Sequence, residues 1–120
     1  MSCFNQNSGQ PIQTIASSAS PLAAGAETGI PANTPTTIVT YTPVTNAVIT
    51  RISVSGTAYG KVELFTNVTL IETQRMGPDR NITITFTNPL VLLPGVPLDV
   101  KVTHYATGDL NDFEATIYGI

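Results

Sequence analysis

The sequence predicts an all-β fold: an antiparallel β-sandwich, jelly-roll or Ig-like in topology, preceded by an extended N-terminal arm. Three observations predict it. Thr and Val dominate short runs in which apolar and polar residues alternate, the period of a strand with one buried face. Turn signals separate these runs at Ser55-Gly56-Thr57, Gly77-Pro78-Asp79, Pro94-Gly95 and Thr107-Gly108-Asp109. Almost no stretch carries the i, i+3, i+4, i+7 apolar spacing of an amphipathic helix.

The 120 residues are the length of one domain and suffice for one real core. They divide into an arm over residues 1–35 and a sandwich over residues 36–120. Before Arg51 the only Asp, Glu, Lys or Arg is Glu27. The arm mixes Ser, Ala, Gly, Pro, Gln and Asn, and Pro11, Pro21, Pro31 and Pro35 exclude a helix or a central strand by removing donors and fixing φ. Such a segment cannot offset its own ordering entropy. It also lacks the charge of a solvated tail, so it is expected to be ordered by contact with the body or with a neighbouring subunit. Fully extended, an arm of this length reaches on the order of 110 Å.

Within the body, Thr36 to Thr42 reads as a strand ended by Pro43. Val48, Thr50, Ile52 and Val54 oppose Ile49, Arg51 and Ser53; both sets are partly apolar, which points to a strand covered on both faces. Lys61 to Phe65 and Val68 to Gln74 form the arms of a hairpin bent near Thr66-Asn67. Asn81 to Thr87 is the clearest strand, with Ile82, Ile84 and Phe86 on one face and Thr83, Thr85 and Thr87 on the other. Leu98, Val100, Val102 and His104 alternate in the same way, as do Phe113, Ala115 and Ile117 near the end. Seven or eight strands in one sheet would leave an apolar face open to water, so two packed layers are required.

Composition narrows the function. Charged residues are 11% of the chain, the net charge is -3 and the pI is near 4.7, which argues against nucleic acid because phosphate binding needs clustered Lys and Arg. No apolar run has the length of a membrane span, and no basic amphipathic helix suggests a membrane surface. No Lys or Arg precedes Arg51 and no apolar block opens the chain, so a secretory signal is not expected and synthesis in a cytoplasm is. Asn67-Val68-Thr69 and Asn81-Ile82-Thr83 match the glycosylation acceptor pattern by chance.

No reactive constellation is legible, and neither an enzyme nor a cofactor is expected. His104 is the only histidine and has no nucleophile at a telling spacing, so it reads as a satisfied structural residue. Cys3, the only cysteine, has neither a disulfide partner nor a polarising neighbour. Asp109, Asp112 and Glu114 with Asn111 suggest calcium weakly, without a complete loop pattern, and no metal is expected. Glu63, Glu72 and Glu114 fall on outward positions of separate strands, and Trp is absent, so a glycosidase pair is not expected either. Gly56 and Gly60 flank a turn and do not open a helix, which excludes a phosphate-cradling loop.

A β body with a long uncharged arm is suited to assembly, because edge strands must be covered or paired and an arm can add a strand to a neighbour. The runs Gly60-Lys61-Val62-Glu63-Leu64-Phe65, Thr85-Phe86-Thr87-Asn88-Pro89-Leu90, Leu98-Asp99-Val100-Lys101-Val102-Thr103-His104 and Asp112-Phe113-Glu114-Ala115-Thr116-Ile117-Tyr118-Gly119 give the chain its style. Over residues 50 to 120 it resembles the small Thr-rich β-sandwich virion proteins of tailed bacteriophages, most of all head decoration (cement) proteins. The resemblance implies a trimer seated on the major capsid protein or another virion protein, with N-terminal segments touching the shell, in a virion built in the host cytoplasm. It brings no catalytic residues. The alternative is a carbohydrate- or receptor-binding module of a phage tail or fibre, with Tyr41, Tyr59, Tyr105 and Tyr118 as candidate stacking residues.

Overall fold

The computed structural model describes residues 19–120, all of whose regular elements are strands. They are β1 (Ser20–Pro31), β2 (Thr36–Tyr41), β3 (Ala47–Gly56), β4 (Gly60–Thr66), β5 (Thr69–Arg75), β6 (Asn81–Leu92), β7 (Leu98–His104) and β8 (Leu110–Gly119). Two four-stranded antiparallel sheets form, in the orders β1-β8-β3-β6 and β2-β7-β4-β5. Only the β4–β5 connection stays within a sheet; every other connection crosses to the opposite layer.

The alternation read from the sequence sets the inward faces. Leu98, Val100, Val102 and His104 of β7 are buried, as are Phe113, Ala115 and Ile117 of β8. With Ile49, Ile52, Val54, Val62, Leu64 and Leu92 they form a continuous core between the layers. Each fully buried Val, Leu or Ile contributes about 1.5–3 kcal/mol of transfer free energy.

Strand β3 corrects one expectation. Its apolar residues on both parities do not mean cover on both faces. The register to both neighbours slips between Ile49 and Arg51, which makes Thr50 an extra residue. The bulge reverses the parity, so Ala47 and Ile49 before it and Ile52 and Val54 after it all face the same core. The Thr50 hydroxyl donates to the Tyr118 carbonyl at 3.3 Å. Opposite the bulge, β6 accommodates Phe86 to Pro89 between its pairings Thr85↔Arg51 and Leu90↔Ile49. The strand therefore runs past its expected end at Thr87 to Leu92. Pro89 is tolerated because β6 is the outermost strand of its sheet and needs no donor there.

The expected hairpin is present, bent one residue later than read. Asn67 (φ 48°) and Val68 (φ 63°) both occupy the left-handed region, as a two-residue turn of type I′ requires.

Of the segment assigned to the arm, residues 1–18 lie outside the described residues. Ser20–Pro31 is an extended strand paired along β8 from Ser20↔Gly119 to Pro31↔Leu110. The sheet thus begins inside residues 1–35, ahead of residue 36. Pro21 and Pro31 are compatible with this position because β1, like β6, is an edge strand. Gly25 lies against β2 so closely that a Cβ would run into the Ile38 carbonyl oxygen, and this contact closes one side of the sandwich. The opposite side is open: a groove lined by Glu72 and Gln74 of β5 and Thr83 to Asn88 of β6 separates the two outer strands.

Candidate functional site

Three connections at one end of the sandwich enclose a cleft of about 550 Å³. The β3–β4 turn supplies Thr57, Ala58 and Tyr59, the end of β5 and the turn after it supply Arg75, Met76 and Arg80, and the β7–β8 loop supplies Tyr105, Ala106 and Asp109, with Asn111 beside them. A volume of this order suits a small molecule or a short segment of a polymer.

The cleft stands on a hydrogen-bonded floor. His104 is fully buried at the end of β7 and lies 6.0 Å from the Phe113 ring, nearly parallel to it. Its Nδ1 accepts the Ala106 N–H at 3.2 Å, which leaves the ring proton on Nε2, donated to the Ile30 carbonyl at 2.6 Å. The Asn111 amide nitrogen lies 3.4 Å from the same Nδ1, while its carbonyl oxygen accepts the Thr57 hydroxyl at 2.8 Å. The Thr57 oxygen in turn accepts the Asp112 N–H at 3.0 Å, and Asp112 Oδ1 accepts the Gly29 N–H at 3.0 Å. One chain of bonds thus ties β1, the β3–β4 turn, β7 and β8 together beneath the cleft. His104 spends both ring nitrogens on it, and Asp112 caps the backbone at Gly29.

The walls are more open. Tyr59 and Tyr105 expose 57% and 49% of their surface, so their rings offer apolar faces to the cleft. The Arg80 guanidinium stands 5.8 Å from the centre of the Tyr59 ring. Arg80 has φ 59°, uncommon for a long side chain; its N–H donates to the Gly77 carbonyl and its carbonyl accepts the Gly56 N–H.

The remaining residues singled out in the sequence do not converge. Glu63 pairs with Lys61 at 3.7 Å, and Glu72 accepts a bond from Gln74 at 2.6 Å. Of the acidic set only Asp109 reaches the cleft, and among the described residues no three His, Cys, Asp or Glu side chains are grouped to hold a metal ion. Cys3 lies outside the described residues. Of the tyrosines, Tyr59 and Tyr105 meet; Tyr118 lies under Arg51 at 4.0 Å, and Tyr41 packs against the core. Sequence reasoning did not find Arg75 or Arg80, and it met Asn111 only as part of a weak calcium pattern. The two arginines bracketing the Gly77-Pro78-Asp79 turn were the visible signal, because a tight turn brings its flanks together.

A second exposed feature is β5. Among the described residues it is paired only to β4, and none of them covers its outer main-chain edge. Val68 at its entrance is 91% exposed, and Leu70 and Ile71 on its two faces are 48% and 37% exposed.

No known protein family matches this chain, and neither a curated protein nor a solved structure is detectably similar to it.

Proposed function

We propose that this chain is a structural protein of a bacteriophage virion, an oligomer with a trimer favoured, that decorates and stabilises a capsid through strand-edge contacts and its N-terminal segment. The observation that carries this reading is the outer edge of β5. An edge unpaired among the described residues, without proline and carrying the exposed Leu70 and Ile71 beside a single inward carboxylate, Glu72, is a surface that an assembling protein can pair. The strand order supports the jelly-roll form over the Ig-like form. Two sheets ordered β1-β8-β3-β6 and β2-β7-β4-β5, joined almost throughout by crossings between layers, describe two interleaved Greek keys, an architecture shared by viral capsid and lectin domains. The position of β1 adds to this. This strand is an edge strand of its sheet, so the N-terminal segment joins the body at a sheet edge, where a contact with a neighbour or the major capsid protein is compatible with the fold.

The test is a truncation whose end point follows from the strand pairing. Removing residues 2–30 would strip β1 from β8 and confuse folding with binding, whereas removing residues 2–18 leaves Ser20–Pro31 intact. The shortened chain is expected to keep its strand content and melting temperature and to lose binding to capsid shells prepared without this protein. Binding as strong as that of the full chain, with the same subunit count by mass measurement, would refute the role of the N-terminal segment.

A further inference from the structure

We propose that the cleft between the β3–β4, β5–β6 and β7–β8 connections binds an acidic saccharide, with the sugar rings against Tyr59 and Tyr105 and the carboxylate held by Arg75 and Arg80. The proposal is independent of the capsid role and rests on where the few positive charges lie.

The chain has five Lys and Arg residues and a net charge of -3. Three of the five are engaged elsewhere. Arg51 covers the Tyr118 ring at 4.0 Å, Lys61 pairs with Glu63 at 3.7 Å, and Lys101 lies 5.0 Å from the Phe65 ring centre. The remaining two, Arg75 and Arg80, both line the cleft, and neither has a carboxylate within ion-pairing distance among the described residues. A guanidinium presents paired N–H donors that match a carboxylate, so two unpaired ones facing the same space specify an anion.

The other lining groups specify what carries that anion. Two half-exposed tyrosine rings provide flat apolar faces with hydroxyls at the rim, the combination that suits the C–H face and the hydroxyl edge of a sugar ring. Asp109 adds an acceptor for ligand hydroxyls, a group an entirely anionic ligand would repel and a sugar with one carboxylate per ring would use. Asn111, 9% exposed, spends its oxygen on Thr57 and one N–H on the long contact to His104; its second N–H has no partner among the described residues. The floor is held by hydrogen bonds from four strands or turns, so the cleft requires little reorganisation on binding. The left-handed backbone of Arg80, fixed by its bonds to Gly77 and Gly56, is the strained element that brings one guanidinium over Tyr59.

The experiment uses the full chain and a set of short galacturonate oligosaccharides, their methyl esters, neutral galactose oligosaccharides and tetraglutamate, titrated by calorimetry at low and moderate salt. Galacturonates are expected to bind about tenfold or more tightly than their esters, the gain of one charge-assisted contact. The double variant Arg75→Gln/Arg80→Gln should erase that ratio, while Tyr105→Ala should weaken acid and ester alike. All three side chains are exposed, so the melting temperatures of the variants should match the parent, which separates lost binding from lost folding. Equal binding of acid and ester, a ratio that survives the double arginine variant, tetraglutamate binding as tightly as galacturonate, or no saccharide binding by folded protein would each overturn the proposal.

Discussion

Replacing His104 with leucine tests whether the only imidazole of the chain is structural. The two side chains are close in volume, so the cavity term is small and the cost comes from orphaned polar groups. Nε2 no longer donates to the Ile30 carbonyl, which is 2.6 Å away on a residue only 3% exposed. A buried acceptor left without its partner costs about 1–3 kcal/mol. The Ala106 N–H and the Asn111 amide lose their acceptor as well; both are nearer to solvent, so together they add roughly 1–2 kcal/mol. Burial of the leucine offsets on the order of 1 kcal/mol, leaving a net destabilisation of about 1–4 kcal/mol. With a mid-range urea m-value of about 2 kcal/mol/M, the unfolding midpoint falls by roughly 0.5–2 M. The assay is urea titration followed by far-UV circular dichroism and by tyrosine fluorescence, since the chain has no tryptophan. His104→Gln, which retains an N–H donor in reach of Ile30, should lose about half as much. An unchanged midpoint for the leucine variant would refute the reasoning, and an unchanged midpoint with lost binding or turnover would reassign His104 to a functional role.

Thr103 is 5% exposed and its hydroxyl has no hydrogen-bond partner among the described residues, so Thr103→Val, which keeps the shape and removes the orphan, should stabilise by about 1 kcal/mol, seen as a melting temperature several degrees higher. Gly25→Ala drives a methyl into the Ile38 carbonyl oxygen, where only backbone movement can relieve it; it should cost about 2–3 kcal/mol and lower the urea midpoint with strand content retained. Val68 holds a β-branched side chain at φ 63°, so Val68→Gly should gain about 0.5–1 kcal/mol despite the added freedom of the unfolded chain, and a lower midpoint would count against the turn assignment.

The alternation in β6, β7 and β8 was legible because a strand with one dry face writes its orientation into every second residue, and the structure buries Ile84, Val100, Val102, Phe113 and Ile117 as that pattern requires. The same rule misled at β3, where an extra residue at Thr50 reverses parity without leaving a mark in local composition. Ser20–Pro31 was read as arm because its own residues carry no strong strand preference. Its order comes from pairing with β8, far away in the chain: Ser20 pairs with Gly119 and Pro31 with Leu110.

The cleft shows the same division. Tyr59 and Tyr105 were visible as candidates among equals, yet nothing local distinguishes them from Tyr41 and Tyr118. They meet because β4 and β7 are neighbours, with Gly60 opposite His104, which places the residues flanking that pair side by side. By itself the sequence determined the class of fold, most strand positions and the inward faces, since these depend on side-chain period and turn chemistry within a few residues. Only the tertiary structure decided strand order, the parity switch in β3, the inclusion of β1 and the meeting of two arginines with two tyrosines. Those depend on hydrogen bonds and packing between segments far apart in the chain, and no local pattern encodes which distant edge a strand will find.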